Sequence, residues 1–567
     1  MSKEEQASNL VNEVMDVCLR RGIIFPTAEI YGSLSGSFCF GPVGEMIRSN
    51  IISIWKQTFI NSEENVYQIS GSTILPRKVF EASGHVDTFN DPLIQCIGKC
   101  KTMYRIDHLI LDTTDINVDG RPLEEMMDIL RDKEIKCPKC SGDLADPKQF
   151  NLMFKTQVGP TSGYEAYLRP ETAQNIFINF RRVAHSMRAQ LPFGIAQIGK
   201  AYRNEISPRN FLIRLREFEQ MELEMFVDPE ELNNHPRWEE VADFEINLLT
   251  QEAQDKGEGY ITISVQDAVD KGYIYNQYLG YYMALEAEFI ENLGIDPEKY
   301  WFRHLQDHET AHYSKANYDL EIQFPFGIVE CIGNAYRTDY DLQKHQKYSK
   351  TKMHIMTKDN RKVIPHVIEP SFGVDRIFYA VLLASYRNDD RGWTWFQFPN
   401  AVVPWDAQVA PLMKKDGLSE TAHNFYWELK DESLDPVFDQ SGQIGKRYAR
   451  ADEIGIPYTI TIDYTTLEDE TVTIRDRDTM EQVRIHMDQT ADILRALTLG
   501  VYSWEDLKDE EYSNDESQSS SMKDETKPKE QKKKSKKSPS KKGSFKKKSS
   551  KKGSSKKNSS KKSKSEK

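Results

Sequence analysis

The chain has 567 residues, 38% of them apolar and 29% charged, which excludes disorder over most of its length and leaves room for several domains with cores of their own. Its net charge of −13 conceals two regimes: residues 531–567 hold 18 lysines and one acid, so residues 1–530 carry 57 basic and 87 acidic side chains, a balance of −30. A body this acidic excludes a general phosphate-coating protein, although a local basic groove for nucleic acid is compatible with it. No apolar run approaches the roughly 18 residues that cross a bilayer, so no membrane association is expected. With no apolar leader, and with seven cysteines that include two close pairs, the chain fits a reducing cytoplasm.

Residues 8–22 place Leu10, Val11, Val14, Met15, Cys18 and Leu19 at helical spacing. The glycine-studded YGSLSGSFCFGPVG (31–44) interrupts that pattern. EMIRSNIISIWKQTFI (45–60) then predicts an amphipathic helix with Ile47, Ile51, Ile54, Trp55 and Phe59 on one side, a face that fits either core packing or a dimer contact. An irregular stretch from about 85 to 160 holds CIGKC (96–100) and CPKC (137–140). Cys96, Cys100, Cys137 and Cys140 have the spacing of a tetrahedral structural Zn2+ site, with four reduced buried thiols as the alternative.

From 163 to 226 the pattern changes to short apolar and alternating runs such as FGIAQIGKAY (193–202), which predict strands. Period two over residues 212–224 puts Arg214, Arg216, Phe218, Gln220, Glu222 and Glu224 on one face, and Ile213, Leu215, Met221 and Leu223 on the other. Such a charged face is either a solvated ladder of ion pairs or the polar floor of a site. Residues 227–320 read as mainly helical. YDLEIQFPFGIVECIG (318–333) and VIPHVIEPSFGVDRIFYAVLLASY (363–386) read as two further strands, the second followed by a buried helix. Strands alternating with helices predict a small α/β domain over 402–507, and the Lys/Ser repeats beyond 513 predict disorder.

RNEISPRNFLIRLREFEQMELE (203–224) resembles motif 2 of the class II aminoacyl-tRNA synthetases, and EPSFGVDRIFYAVL (369–382) resembles their motif 3. IYGSLSGSFCFGPVG (30–44), LRPETAQ (168–174), FPFG (324–327) and RTDYDL (337–342) are similar to the homodimeric glycyl-tRNA synthetases, in order, over about residues 8–507. FDQSGQIGKRYARADEIGIPYTITID (438–463) resembles the anticodon-binding domain of that subclass. The chain departs from the family at Asn175, where glycine is usual, at Ser33, Cys39 and Phe40, and in the extra residue within its first cysteine pair.

The resemblance implies an α+β fold: a class II catalytic domain over 1–400 on a six-stranded antiparallel sheet, interrupted by a cysteine-bearing insertion and by a largely helical one at about 227–320. An anticodon-binding domain (402–507) and the disordered tail (513–567) follow. It further implies a cytoplasmic homodimer that joins glycine to ATP as glycyl-adenylate and passes the glycyl group to tRNA(Gly). The rivals are a synthetase for another small amino acid and a non-catalytic nucleic-acid-binding paralogue. The Lys-rich tail would concentrate tRNA, or serve only as a solubilising tail or a targeting signal.

Carried over residue by residue, the resemblance puts Arg203 on the α-phosphate of ATP and Arg376 on the γ-phosphate. Phe218 stacks on adenine, Glu205 accepts from its amine, and Glu330 holds Mg2+. Asn204, Ile213, Arg214, Leu215, Arg216, Glu217, Cys331, Gly373, Val374 and Asp375 complete the ATP site. Glu171 and Glu222 meet the glycine ammonium, Ser371 adds a polar contact, and Arg105 meets the carboxylate. Glu219, Gln220, Met221 and Glu369, together with Phe218 and Gly373, surround the glycine.

Overall fold

The computed structural model describes residues 3–509 apart from 115, 117, 119, 120, 161, 162, 207 and 209, with side chains from residue 8 onward; the tail expected to be disordered lies outside the described residues. Nine strands make the main sheet: β1 (Val66–Ile69), β2 (Phe193–Tyr202), β3 (Glu217–Val227), β4 (Glu245–Leu249), β5 (Ile261–Ser264), β6 (Tyr300–His304), β7 (Ala316–Phe324), β8 (Gly327–Thr338) and β9 (His366–Gly373). Their order is β5-β4-β6-β7-β8-β9-β3-β2-β1. From β6 to β2 every pairing is antiparallel, so the expected six-stranded sheet forms the centre. Parallel pairings widen it on both sides, β4 with β6 and β1 with β2.

Residues 227–320 hold three α-helices, Gln251–Lys256, Val265–Asp270 and Gln277–Asn292, and in addition the strands β4, β5 and β6, which the helical reading did not anticipate. Strands of four or five residues such as EINLL and ITIS are too short for period two to stand out against helical spacing. The cysteine-bearing stretch is likewise more regular than expected. Its strands Asn90–Gln95, Met103–Arg105 and Lys148–Asn151 form a small sheet, accompanied by helices Ile106–Thr114 and Leu123–Asp132.

One face of the main sheet is covered by α1 (Lys3–Arg20), α2 (Pro42–Lys56), α4 (Gln277–Asn292) and α5 (Val374–Ser385), whose apolar residues share one core with Met221 and Leu223 of β3. Phe372 of β9 is its aromatic hub, 5.7 Å from Trp55, 4.9 Å from Phe59 and 5.8 Å from Phe289. Ile47, Ile51 and Trp55 are fully buried there, so that face of α2 is core within one chain. A second cluster packs α3 (Ala173–Met187) onto the sheet through Phe177 and Phe180 against Phe193 and Phe226.

Residues 407–507 carry their own core around a five-stranded sheet in which Ala407–Pro411 lies between Pro436–Phe438 and Tyr458–Ile462. This part is tied back to the N-terminus. Arg20 and Arg21, at the end of α1, both grip the carboxylate of Glu453, with Arg21 Nε 2.6 Å from Oε2. Beside it, Asp452 accepts from Trp393 Nε1 (3.1 Å) and is held by both Arg475 Nη atoms at 2.9 and 3.0 Å. Among the described residues no helix is long and apolar enough to cross a membrane.

Candidate active site

A cleft of about 330 Å³ opens over β3, β8 and β9. Its wall brings together Arg105, Arg203, Glu205, Ile213, Arg214, Leu215, Phe218, Glu219, Gln220, Glu330, Cys331, Ser371, Gly373, Asp375 and Arg376, residues that are up to 271 positions apart in sequence. The loop from β2 to β3 forms one side and is closed by one backbone and one side-chain bond: Arg203 N–H donates to Arg216 O (2.9 Å) and Arg216 Nε donates to Glu205 O (3.0 Å). Arg216 also donates to Ser35 O, so it holds loop to loop. The strand expected from residue 212 starts only at Glu217. Asn210 and Phe211 take left-handed backbone, φ 59° and 54°, which a strand cannot accommodate, and 211–216 turn instead. Phe218, Gln220, Glu222 and Glu224 keep the common strand face.

The cations of the cleft are held by specific partners. Arg203 lies between two rings, its guanidinium carbon 5.5 Å from the centre of Phe89 and 5.2 Å from that of Phe218. Arg376, in the first turn of α5, donates from Nη1 to Glu330 O (2.6 Å) and from Nε to Ile213 O (3.3 Å), and its Nη1 is 3.3 Å from Glu330 Oε2. Arg214 Nη1 is 3.3 Å from His108 Nε2, and its Nε is 3.9 Å from Glu205. Arg105 is bracketed by Asp91, 3.1 Å from its Nη1, and Asp107, which accepts from its Nε (3.1 Å) and Nη2 (2.5 Å). Burial raises the carboxyl of Asp375 to about 6, while Asp375 accepts from Glu219 N–H at 2.7 Å.

Behind Gln220 and Ser371 is a fully buried acid, Glu222. Gln220 Nε2 and Ser371 Oγ donate to its Oε1 at 2.8 and 2.9 Å, and Thr172 Oγ1 donates to its other oxygen. Burial, and then the nearby Glu171, push its carboxyl above the usual range. Glu171 behaves oppositely: burial opposes its charge, but His85 and Arg337 outweigh burial and hold the carboxyl below the usual range. Two neighbouring buried acids, their carboxyls shifted in opposite directions, present a set of oxygen acceptors that suits a cation. Glu369 accepts from Arg337 Nη1 at 2.7 Å and is raised to about 8 by burial, with Arg337 opposing.

Several predicted residues lie off the cleft wall. Met221 and Val374 put their side chains in the hydrophobic core, Glu217 is exposed with its carboxylate 3.9 Å from Lys200 Nζ, and Asn204 is in the loop, its N–H donating to Leu152 O. Sequence reasoning missed Thr172, Gln174, Arg337 and Asp341, although all four stand inside the quoted LRPETAQ and RTDYDL. It also missed Phe89 and His85, which have no periodic or motif signal.

The four cysteines meet as expected. Their Sγ atoms all lie within 4.8 Å of one another, with neighbouring contacts of 3.4 Å. Each sulfur receives the backbone N–H of the residue two places on: Gly98, Thr102, Lys139 and Gly142. The two turns approach so closely that a Cβ on Gly98 would sit 3.0 Å from Gly142 Cα. Sulfurs on a tetrahedron with 2.3 Å arms are about 3.8 Å apart, so the set fits a zinc ion.

Two family models match the chain: the class II tRNA synthetase core domain (G, H, P, S and T) over residues 154–386, and the anticodon binding domain over residues 406–497. The chain is 38% identical to the glycine–tRNA ligase of Methanocaldococcus jannaschii and 39% identical to that of Pyrococcus furiosus, in each case over 86% of this chain and 99% of the relative. A solved prolyl-tRNA synthetase from Cryptosporidium parvum, bound to halofuginone and AMPPNP, superposes with a TM-score of 0.53 over 87% of this chain and 78% of that one; at 12% identity it speaks for the fold alone. With its antiparallel sheet, motif 2 loop and C-terminal domain in place, the chain belongs to the glycine–tRNA ligase family of class II synthetases.

Proposed function

We propose that the chain activates glycine with ATP and transfers the glycyl group to tRNA(Gly). The observation that carries this reading is the pairing of Glu171 and Glu222, with Ser371 between Glu222 and the cleft: an acceptor set suited to a primary ammonium on a ligand with little else to recognise. A larger amino acid is excluded by overlap with the packed wall, which is easier than excluding a smaller one, so no editing step is required.

Adenylation displaces pyrophosphate as a glycine carboxylate oxygen attacks the α-phosphorus. Negative charge grows on the phosphoryl oxygens, and fixed cations lower that barrier. Arg203 meets the α-phosphate, steadied by Phe89; Phe218 stacks on adenine; and Arg376 meets the γ-phosphate, its guanidinium pre-aimed by Glu330 O and Ile213 O. Arg105 is the candidate partner of the glycine carboxylate. In the second step the terminal ribose hydroxyl of tRNA attacks the glycyl carbonyl and AMP leaves. Positioning and charge carry both steps, with no covalent enzyme intermediate.

The oxygen donors around Gly333 fit Mg2+: Glu330 Oε1 and Asp319 Oδ1 both lie within 3.7 Å of the point where a Cβ on Gly333 would stand. Burial and then Glu330 push the Asp319 carboxyl well above its usual range, as expected of acids arranged for a cation. Glu330 and Asp319 would hold the ion, which neutralises phosphate charge. We further assign a structural Zn2+ to the four cysteines, a cytoplasmic location to a chain whose seven cysteines are all free, and a homodimer in which the exposed Ile30 (88%), Tyr31 (87%) and Leu34 face the second copy.

The test is amino-acid-dependent exchange of labelled pyrophosphate into ATP with each of the twenty amino acids. Exchange with glycine alone is the expected result. Exchange with another amino acid would reassign the substrate, and none with any would favour a non-catalytic paralogue.

A further inference from the structure

The segment Ser83–Phe89 reaches the cleft from an element that none of the synthetase motifs includes, and beyond the support that Phe89 gives Arg203 it carries a histidine with no assigned part in the reaction. Ser83 ends the helix Arg77–Ser83, Gly84 reverses the chain at φ 92°, and His85 follows. The imidazole of His85 is held at both nitrogens: Nδ1 is 2.8 Å from Ser83 Oγ and Nε2 is 3.4 Å from Glu171 Oε2. An ionised carboxylate only accepts, so Nε2 presents its proton to Glu171, while Nδ1 is hydrogen-bonded to Ser83 Oγ, whose hydroxyl also lies 3.5 Å from Phe80 O. Phe80 (6.0 Å) and Phe89 (5.4 Å) pack against the ring, and Phe89 is the same ring that supports Arg203.

The order Ser–His–Glu is that of a hydrolytic triad, but Ser83 is only 3% exposed and is absent from the cleft wall, so its hydroxyl does not reach a substrate. What the arrangement does is fix a carboxylate. Glu171 Oε1 accepts from Gln174 Nε2 at 2.9 Å, and that amide is itself anchored to Asp341 (3.2 Å) and His345 (2.8 Å). With Gln174 on one oxygen and His85 on the other, the plane of the Glu171 carboxylate is set before any ligand arrives.

We propose that His85 is a positioning residue for amino-acid binding: its Nε2–H holds Glu171 in the orientation that meets the substrate ammonium, and Ser83, hydrogen-bonded to Nδ1, fixes the ring that makes this contact. The inference rests on the assignment of Glu171 to the ammonium. Because only one end of the substrate meets Glu171, the effect is confined to glycine.

The experiment is pyrophosphate exchange by the full-length protein, with glycine and ATP varied separately for His85→Ala, His85→Gln, Ser83→Ala and Glu171→Gln, and with thermal melting as the check on folding. Loss of one hydrogen bond to a charged group predicts a glycine KM about 10-fold higher in H85A with an unchanged ATP KM. H85Q, whose amide can still donate to Glu171, recovers most of that loss, and S83A shows a rise of a few-fold. Equal rises in both KM values for H85A, or a folded H85Q no better than H85A, would overturn the positioning role. A large glycine effect in E171Q beside none in H85A overturns it while sparing the Glu171 assignment; no effect in E171Q overturns both. If H85A does not fold, an unchanged glycine KM in folded S83A is the overturning result.

Discussion

Ser371 and Glu222 face one another across the antiparallel pair β3–β9, and the serine hydroxyl donates to the carboxylate at 2.9 Å. The contact adds a side-chain link to the strand pairing that joins motif 3 to motif 2, and places the buried acid one side chain away from the cleft. Glu222→Gln keeps the shape and two of the three donors but removes the charge. It is expected to lower kcat/KM for glycine by about 100-fold or more, the scale for losing a charged partner of a buried cation, while the KM for ATP changes little. Initial rates with each substrate varied in turn check this, and equal losses for both would remove Glu222 from the ammonium site.

Arg376 is tied to Glu330 O and Ile213 O, so its guanidinium is oriented before ATP arrives. Arg376→Lys keeps the charge but loses that fork, and a fall in kcat of about 10- to 100-fold is expected. A wild-type rate in single-turnover adenylate formation would show that charge alone suffices.

The four-sulfur cluster predicts one zinc per chain by elemental mass spectrometry of native protein. Cys137→Ser is expected to lose the metal and to lower the melting temperature, because apart from the sulfur cluster the two turns that meet at Gly98 and Gly142 are held by short backbone pairings such as Ile97 N–H to Asp143 O (2.9 Å) and Ala145 N–H to Gln95 O (2.8 Å). Metal content near zero in the native enzyme would leave four reduced thiols.

Glu286 on α4 is fully buried with a single partner, Asn334 Nδ2 at 2.8 Å, and burial raises its carboxyl to about 8. An acid whose folded pKa exceeds its unfolded value adds stability that is complete below the unfolded value of about 4.3 and is lost as pH rises through 8. The full window corresponds to on the order of 5 kcal/mol. Glu286→Gln should therefore melt higher than wild type at pH 8.5, with the gap closing toward pH 5. Parallel melting curves across that range would contradict the assignment.

The centre of the fold was legible because long strands alternate: FGIAQIGKAY shows its period over ten residues, and β3 does so from Phe218 to Glu224. The same alternation misled at Ile213–Arg216, where a turn mimics a strand and only the left-handed Asn210 and Phe211 reveal the difference. In the site, Glu171, Glu222 and Ser371 could be found by motif. Arg337 and His85 bear on Glu171, which lies 166 and 86 positions from them in the chain, and no local pattern encodes that meeting. The cysteine turns were legible from spacing alone, since each ligand pair is closed by its own backbone.

The grip of Arg20 and Arg21 on Glu453 spans more than 430 positions of chain. During synthesis the first helix leaves the ribosome long before its carboxylate partner exists. The apolar side of α1 can settle on α5 once residue 385 or so has emerged, but the arginines have no counter-charge until the last domain follows. Closure of this clasp is therefore a late event in folding, and a chain truncated before residue 453 should keep its catalytic sheet while leaving its amino terminus loosely fastened.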